Sequence, residues 1–210
     1  MGRRFIISLG FHEDRAIRRL TMSSASRDDE VFLITASTSP AVLRAYDSLV
    51  SFCRKAGLRE PKLVEVPSDL YGGVAKIAEL VLGFEGPVVV DLSGGMRYLA
   101  VLGMLALFLA RRRAVVYVQP EGEGQDLEIP ESVMDLAHTS LQDLERSILK
   151  MVAGSEGLRV EDVARSLGRS PKTVANAVSR LQRLGLVVRR GRSGGLHLTS
   201  VGRLAVLLGV

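Results

Sequence analysis

The sequence predicts an α/β domain built on a parallel sheet, followed by a smaller domain of three helices and a β-hairpin. Two observations support this fold class. Through the first two-thirds of the 210 residues, apolar segments rich in β-branched residues alternate with segments of helical periodicity. Near Pro130 this alternation stops, and the charge changes as well. Residues 1–137 carry a net charge of −2, whereas residues 138–210 carry +7, so the positive charge of the chain is concentrated in its last third.

The first domain is expected to alternate strands with helices. The predicted strands are residues 4–9, 31–36, 62–66, 88–91 and 114–118. The predicted helices are residues 14–22, 41–56, 69–82 and 96–110. Such alternation is typical of a doubly wound parallel sheet, covered by helices on both faces and connected by right-handed crossovers. A turn at 121–124 and a short strand at 126–129 are expected to close the sheet as a hairpin.

The segment 88–97, with the sequence VVVDLSGGMR, is the most informative part of the chain. Three valines and an acid predict a buried strand, and the Ser-Gly-Gly turn leads into an apolar helix. In an open α/β sheet, ligands bind at such strand-to-helix turns. Glycines permit close approach, backbone N–H groups in the turn are expected to be free, and a helix N-terminus favours negative charge. Ser93, Gly94, Gly95, Met96 and Arg97 are therefore predicted to bind a phosphate-bearing ligand.

Each residue of this turn also has a purely structural interpretation. Ser93 would cap its helix, and Arg97 would pair with an acidic neighbour such as Asp91. Asp91 itself would accept backbone N–H bonds and fix the turn without contacting a ligand. The sequence leaves these alternatives open.

The domain after residue 139 has the order of a DNA-binding module. Helices are predicted at 141–152, 160–167 and 171–184, with Ser170 as N-cap and Pro171 in the first turn of the third. At 100° per residue, one face of that third helix collects polar and basic side chains, while four apolar residues lie opposite. The polar face consists of Lys172, Thr173, Asn176, Arg180 and Arg183.

Two short strands, 186–190 and 196–199, are predicted to follow as a basic hairpin that carries Arg189, Arg190 and Arg192. A helix at 199–208 closes the chain, and its apolar face is expected to pack on a partner subunit. The whole order is that of a winged helix-turn-helix, whose recognition helix enters the DNA major groove. We predict that Ser170, the polar helix face and the three hairpin arginines contact double-stranded DNA. The alternatives are a merely solvated helix face, or a winged helix that binds protein.

Other features restrict the function classes. A single cysteine, Cys53, excludes an internal disulfide framework and cysteine-based metal sites. We expect a cytoplasmic protein, because the sequence shows no basic-then-apolar leader. We expect no membrane binding, because the longest apolar run has thirteen residues, too few to span a bilayer. We also expect no metal and no resident cofactor. No Gly-x-Gly-x-x-Gly motif follows a predicted strand, which argues against a nicotinamide-binding redox sensor.

Taken together, these motifs resemble the CARF (CRISPR-associated Rossmann fold) transcriptional regulators with a C-terminal winged helix, of the type associated with type I-A CRISPR systems. Residues 91–97 fit the Asp-x-Ser/Thr-x-Gly-x-Arg/Lys signature of that family at each defined position. Two further segments resemble loops that line its ligand pocket. They contain Gly10, Phe11 and His12 after the first strand, and Ser37, Thr38, Ser39 and Pro40 after the second.

The change of pattern after Pro130 divides the chain into a first domain at residues 1–130, a linker helix at 131–139 and a winged helix-turn-helix at 140–210, and the resemblance makes the first domain a Rossmann-like sensing domain. The resemblance also implies a homodimer that binds a cyclic oligoadenylate, often the tetra-adenylate ring, across its two-fold axis. A transcription regulator of CRISPR loci under such control is the leading hypothesis, with promoter or CRISPR-locus DNA as its partner. The alternative is a ring nuclease that degrades the messenger slowly, with Ser93, Arg97 and His12 positioning a ribose hydroxyl for attack on its own phosphate.

Overall fold

A computed structural model describes residues 2–120, 124–191 and 194–209. The chain divides into two compact units, residues 1–134 and 135–210. The first unit contains a six-stranded sheet with the order β3-β2-β1-β4-β5-β6. Its strands are β1 (Arg4–Ser8), β2 (Glu30–Thr35), β3 (Lys62–Glu65), β4 (Val88–Asp91), β5 (Val115–Val118) and β6 (Leu127–Ile129). Its helices are α1 (Asp14–Met22), α2 (Pro40–Lys55), α3 (Leu70–Leu82), α4 (Arg97–Leu109) and α5 (Glu131–His138), the last continuing into the second unit.

The predicted doubly wound parallel sheet is confirmed. Strands β1 to β5 are all parallel, and β6 pairs with β5 in the antiparallel direction, as the predicted hairpin requires. The predicted turn at 121–124 falls mostly outside the described residues. Strand and helix bounds in this unit agree with the sequence-based ones to within one residue.

Alternation along the central strand explains why helices cover both faces. Phe5 and Ile7 of β1 lie in one core with residues of α1 and α2, whereas Ile6 lies in the other core with residues of α3 and α4. All five residues of β1 are buried, which is why this strand has an unbroken apolar centre instead of a polar face. The chain proceeds from β1 outward to β3 and then returns to β4 on the other side of β1. The sheet therefore has its topological switch point between β1 and β4, where ligands bind in open α/β sheets.

The second unit is the predicted winged helix-turn-helix. Its elements are α6 (Asp143–Gly154), α7 (Val160–Leu167), α8 (Pro171–Arg183), β7 (Val187–Arg190), β8 (Gly195–Leu198) and α9 (Ser200–Leu208). Strands β7 and β8 form the antiparallel two-stranded wing, and an isolated β-bridge joins Leu196 of β8 to Leu158. Ser170 caps α8 by accepting the N–H of Thr173 at 3.1 Å, as expected.

Both predicted bounds of one helix in this unit are wrong by two residues, since α6 ends at Gly154 and not at residue 152. The helix expected at 141–152 begins two residues later, because Gln142 is its N-cap and Glu145 accepts the Gln142 N–H at 2.8 Å in a capping box. Leu141, whose spacing suggested a helical residue, is buried just before the helix starts. Among the described residues, no helix is long and apolar enough to cross a membrane.

Candidate functional site

A cleft of about 1050 Å³ opens beyond the carboxyl ends of β1 and β4, at the switch point of the sheet. The loops that follow four of the parallel strands and the first turns of α1 form its walls. Its lining residues are Leu9, Gly10, Phe11, His12, Asp14, Arg15, Arg18, Thr35, Ala36, Ser37, Val42, Leu92, Ser93, Gly94, Gly95, Met96, Arg97, Ala100, Val118, Gln119 and Pro120. Its lining combines buried apolar residues with three exposed arginines, which suits a ligand with both bases and phosphates.

The structure brings nine of the twelve predicted ligand-site residues into this cleft. They are Gly10, Phe11, His12, Ser37, Ser93, Gly94, Gly95, Met96 and Arg97. Thr38, Ser39 and Pro40 are not among the lining residues. Ser39 and Pro40 instead start α2, where the Ser39 hydroxyl accepts the N–H of Val42 at 3.5 Å and Pro40 occupies the first helical turn. A Ser-Pro pair at a helix start satisfies the helix itself, so the loop after β2 contributes less to the cleft than expected.

The turn after β4 satisfies more of its own hydrogen bonds than the sequence suggests. The N–H of Ser93 donates to Asp91 Oδ1 at 2.9 Å, and the N–H of Gly94 donates to the Ser8 hydroxyl at 3.0 Å. The expectation that both groups are free for a ligand is therefore wrong. The amides of Gly95 and Met96 have no acceptor among the described residues, and they remain available at the start of α4.

The hydroxyl of Ser93 does not cap α4 either. It accepts the backbone N–H of Gln119 at 2.8 Å and so ties the end of β5 to the turn after β4. The N-cap of α4 is Met96, which offers no side-chain acceptor. The helix N-terminus thus reaches the cleft without an internal cap, an arrangement that favours an anionic ligand.

The glycines of the site allow two loops to touch. A Cβ at Gly10 would lie 2.9 Å from the Gly95 nitrogen, and a Cβ at Gly94 would lie 2.2 Å from the Ser8 carbonyl oxygen. Gly95 also has a φ of +69°, in the left-handed region that glycine adopts readily. Close packing between the loops after β1 and β4 is therefore sufficient to require these glycines, whether or not a ligand approaches them.

Asp91 pairs with a partner that the sequence did not reveal. Its Oδ2 accepts from Arg19 Nε at 2.7 Å, whereas the sequence suggested the nearby Arg97. Arg19 belongs to α1 and is buried, with 4% of its surface exposed. Its Nη2 also donates to Asp126 Oδ2 at 2.5 Å. Its guanidinium stacks on the Tyr117 ring, 3.6 Å from the centroid. As the structural interpretation of Asp91 expects, its other carboxylate oxygen accepts the N–H of Ser93 and fixes the turn, while Arg19 balances its charge.

Two arginines of α1 line the cleft, although the sequence did not mark them as ligand-binding residues. Arg15 donates to the carbonyl oxygen of Ser93, and Arg18 lies 3.3 Å from Asp126 Oδ1 with 42% of its side chain exposed. Together with Arg97 at the start of α4, they give the cleft three guanidinium groups, with Asp14 as its one lining acid among the described residues. The useful signal was the i, i+3 spacing of Arg15 and Arg18 at a helix start that follows a predicted pocket loop.

The predicted DNA-binding side chains are mostly exposed. Ser170, Lys172, Thr173, Asn176, Arg183, Arg189 and Arg190 are exposed, whereas Arg192 lies outside the described residues. On the opposite side of α8, Val174, Val178 and Leu181 are completely buried, as the helical periodicity predicts. The helix therefore packs on one face and presents donors on the other.

Arg180 departs from this pattern. Its Nη1 donates to both carboxylate oxygens of Glu145, at 2.7 and 2.5 Å, and its Nη2 donates to the carbonyl oxygen of Ser140 at 3.2 Å. Glu145 is only 2% exposed. In the structure its guanidinium makes an internal ion pair, which a helical wheel cannot show, and its assignment to DNA stays a prediction.

A Rossmann-like domain with a switch-point cleft and a winged helix in one chain define the architecture of a two-domain regulator. Comparison with known proteins specifies the family. A family model described as the Csa3 CRISPR-associated Rossmann-like domain matches residues 3–130, and the model HVO_A0114 matches residues 140–199. The chain belongs to the Csa3 family.

Two relatives carry the name CRISPR locus-related protein Csa3 and are described as candidate DNA-binding proteins. That of Thermoproteus tenax is 32% identical over 195 residues, covering 88% of this chain and 85% of its own. That of Saccharolobus solfataricus is 24% identical over 201 residues, covering 94% and 85%. Among solved structures, Staphylococcus aureus MepR, a transcription regulator, is similar over 37% of this chain and 62% of its own, at 24% identity and with a TM-score of 0.33.

Proposed function

We propose that the chain is a DNA-binding transcription regulator of CRISPR loci whose Rossmann-like domain senses a cyclic oligoadenylate. The observation that carries the proposal is the arginine-lined cleft at the switch point, in the same chain as a winged helix with an exposed polar face. The Csa3 relatives are described as candidate DNA-binding proteins, which agrees with the first half of the proposal. The second half depends on the chemistry of the cleft.

The cleft offers what a ring of nucleotides requires. Arg15, Arg18 and Arg97 supply charge for phosphates, and the Gly95 and Met96 amides add donors at a helix start. Leu92, Val118 and Ala100 provide apolar surface for bases. A cyclic tetra-adenylate has a two-fold axis, so a homodimer would bind it with duplicate loops. Ligand binding would then alter the distance between the two recognition helices and thereby the affinity for a palindromic operator.

Calorimetric titration with cyclic tri-, tetra- and hexa-adenylate tests the sensor, and light scattering tests the dimer. We expect saturable binding of one ring per two chains, with the intact ring recovered afterwards. Arg97→Glu is expected to abolish binding because it places an acid at the helix start. Arg54→Glu is the matched control, because Arg54 is exposed at the end of α2 and does not line the cleft.

The regulatory half is tested by fluorescence anisotropy of a DNA duplex with and without the ring. The unsubstituted chain is expected to change its DNA affinity when the ring is added, and Arg97→Glu is expected to bind DNA with no response to it. Normal ring binding by Arg97→Glu would contradict the pocket assignment. Monomers in solution would contradict the dimeric sensor, and recovery of linear product in place of the ring would favour the ring-nuclease alternative.

A further inference from the structure

Arg180 connects three parts of the winged-helix domain that are separate in sequence. It lies on the recognition helix α8, its carboxylate partner Glu145 lies in the first turn of α6, and its third acceptor is the Ser140 carbonyl just before α6. The same Glu145 carboxylate accepts the N–H of Gln142 at 2.8 Å. One buried acid and one arginine therefore fix the start of α6, the chain that leads into it, and the helix expected to face DNA.

Burial of the acid makes this connection strong. Glu145 is 2% exposed, so its charge is poorly solvated and needs the guanidinium close by. The Arg180 side chain is 37% exposed, because one edge of it reaches the surface. Moving it to a DNA base would break its bonds to Glu145 and leave a buried carboxylate without its cation. This cost makes base contact by Arg180 unfavourable even though the residue lies on the polar face of α8.

We propose that Arg180 is a positioning residue that holds the recognition helix at its DNA-binding angle by anchoring it to Glu145 and Ser140, and that it makes no DNA contact itself. The inference rests on the proposed DNA binding. It distinguishes Arg180 from Arg183 on the same helix, whose exposed side chain has no such anchor among the residues that the structure describes.

The salt dependence of DNA binding separates the two roles. Each arginine that neutralises a phosphate adds about one to the slope of log affinity against log salt. The probe is a 30-base-pair duplex, a length of about three helical turns, selected by the full chain from a random library. Arg180→Gln is expected to lower affinity about tenfold with an unchanged slope, a loss equal to about 1.4 kcal/mol. Arg183→Gln, the matched control, is expected to lower the slope by about one.

Glu145→Gln gives the sharper test. It removes an acid near DNA, so simple electrostatics predicts tighter binding. It also keeps an N3 residue suited to the capping box, so α6 retains its start. If Arg180 positions the helix, this substitution loosens the anchor and weakens DNA binding, about threefold or more, again with an unchanged slope.

Folding is checked by circular dichroism, and affinities are measured where each variant retains its native spectrum. Arg180→Lys keeps the charge and one bond, so it is expected to restore part of the affinity, and it replaces Arg180→Gln if that variant does not fold. A slope lowered by about one in Arg180→Gln, or equal or tighter binding by Glu145→Gln, would overturn the inference. Failure of the unsubstituted chain to enrich any duplex would overturn the proposed DNA binding as well.

Discussion

Replacing Arg19 by Met is expected to destabilise the Rossmann-like domain severely. The guanidinium of Arg19 lies between Asp91 and Asp126, at 2.7 and 2.5 Å, and stacks on the Tyr117 ring. Its side chain is 4% exposed, and the side chains of the two acids are 3% and 11% exposed, so solvent screens these pairs little. Methionine would fill much of the volume but would leave two acids close together without their shared cation.

The size of the effect follows from that burial. Breaking a buried ion pair by removing one partner costs about 3–5 kcal/mol, because the remaining charge stays poorly solvated. Loss of the cation–π contact adds to the cost. We therefore expect Arg19→Met to lower the free energy of unfolding by about 3–5 kcal/mol, a large share of the 5–15 kcal/mol typical of proteins generally.

Urea denaturation followed by circular dichroism measures this loss, with amide hydrogen exchange of β4 identifying the transition of the Rossmann-like domain. Arg18→Met is the matched control on the same helix. Arg18 is 42% exposed and makes one 3.3 Å contact with Asp126, so its loss is expected to cost less than about 1 kcal/mol. A change below about 1 kcal/mol for Arg19→Met would refute the reasoning, because the buried pair would then contribute no more than a surface pair.

Three further predictions concern single positions. Gly94→Ala is expected to destabilise the fold by about 1–3 kcal/mol in urea denaturation, since its Cβ would lie 2.2 Å from the Ser8 carbonyl oxygen, whereas Gly154→Ala, with no atom within 4 Å, should not show this clash. Burial raises the pKa of the Cys53 thiol to about 11, so a thiol reagent at pH 8 should modify it only after unfolding. Because this folded-state pKa lies above the ordinary value of 9.0, the stability associated with Cys53 is complete below pH 9 and is lost as the pH rises towards 11. Lys172→Ala is expected to lower the salt slope of DNA binding by about one, and an unchanged slope would remove Lys172 from the phosphate contacts.

Local periodicity was sufficient to predict most of the fold. The alternation of β-branched runs with helical segments predicts the parallel sheet. The Ser170-Pro171 pair predicts the start of α8, and the predicted end of this helix differs from the observed one by one residue. Such signals predict secondary structure because the face that a side chain occupies and the backbone conformation are both determined within a few residues of the sequence. The start of α6 was missed because a capping box, instead of the apolar spacing, determines where that helix begins.

The partners of charged residues could not be predicted in the same way. The sequence places Arg180 on a polar helical face but does not show that Glu145, 35 residues earlier, is buried beneath it. Likewise Asp91 had a nearby arginine at position 97, yet its partner is Arg19, 72 residues earlier. Periodicity fixes the direction of a side chain, whereas its partner depends on how distant elements pack.

The glycine-rich turn shows how this difference changes a functional argument. In the sequence, its glycines and amides all favour an anion site. In the structure, Ser8 and Asp91 already accept two of those N–H groups, and Gly94 is required by the Ser8 carbonyl alone. The positive charge for the proposed phosphate ligand would therefore come mainly from arginine side chains. Arg15 and Arg18 belong to α1, a helix that contributes no residue to the family-like signature at 91–97. Reversing the charge of either arginine should therefore weaken ligand binding as much as a substitution within the signature itself.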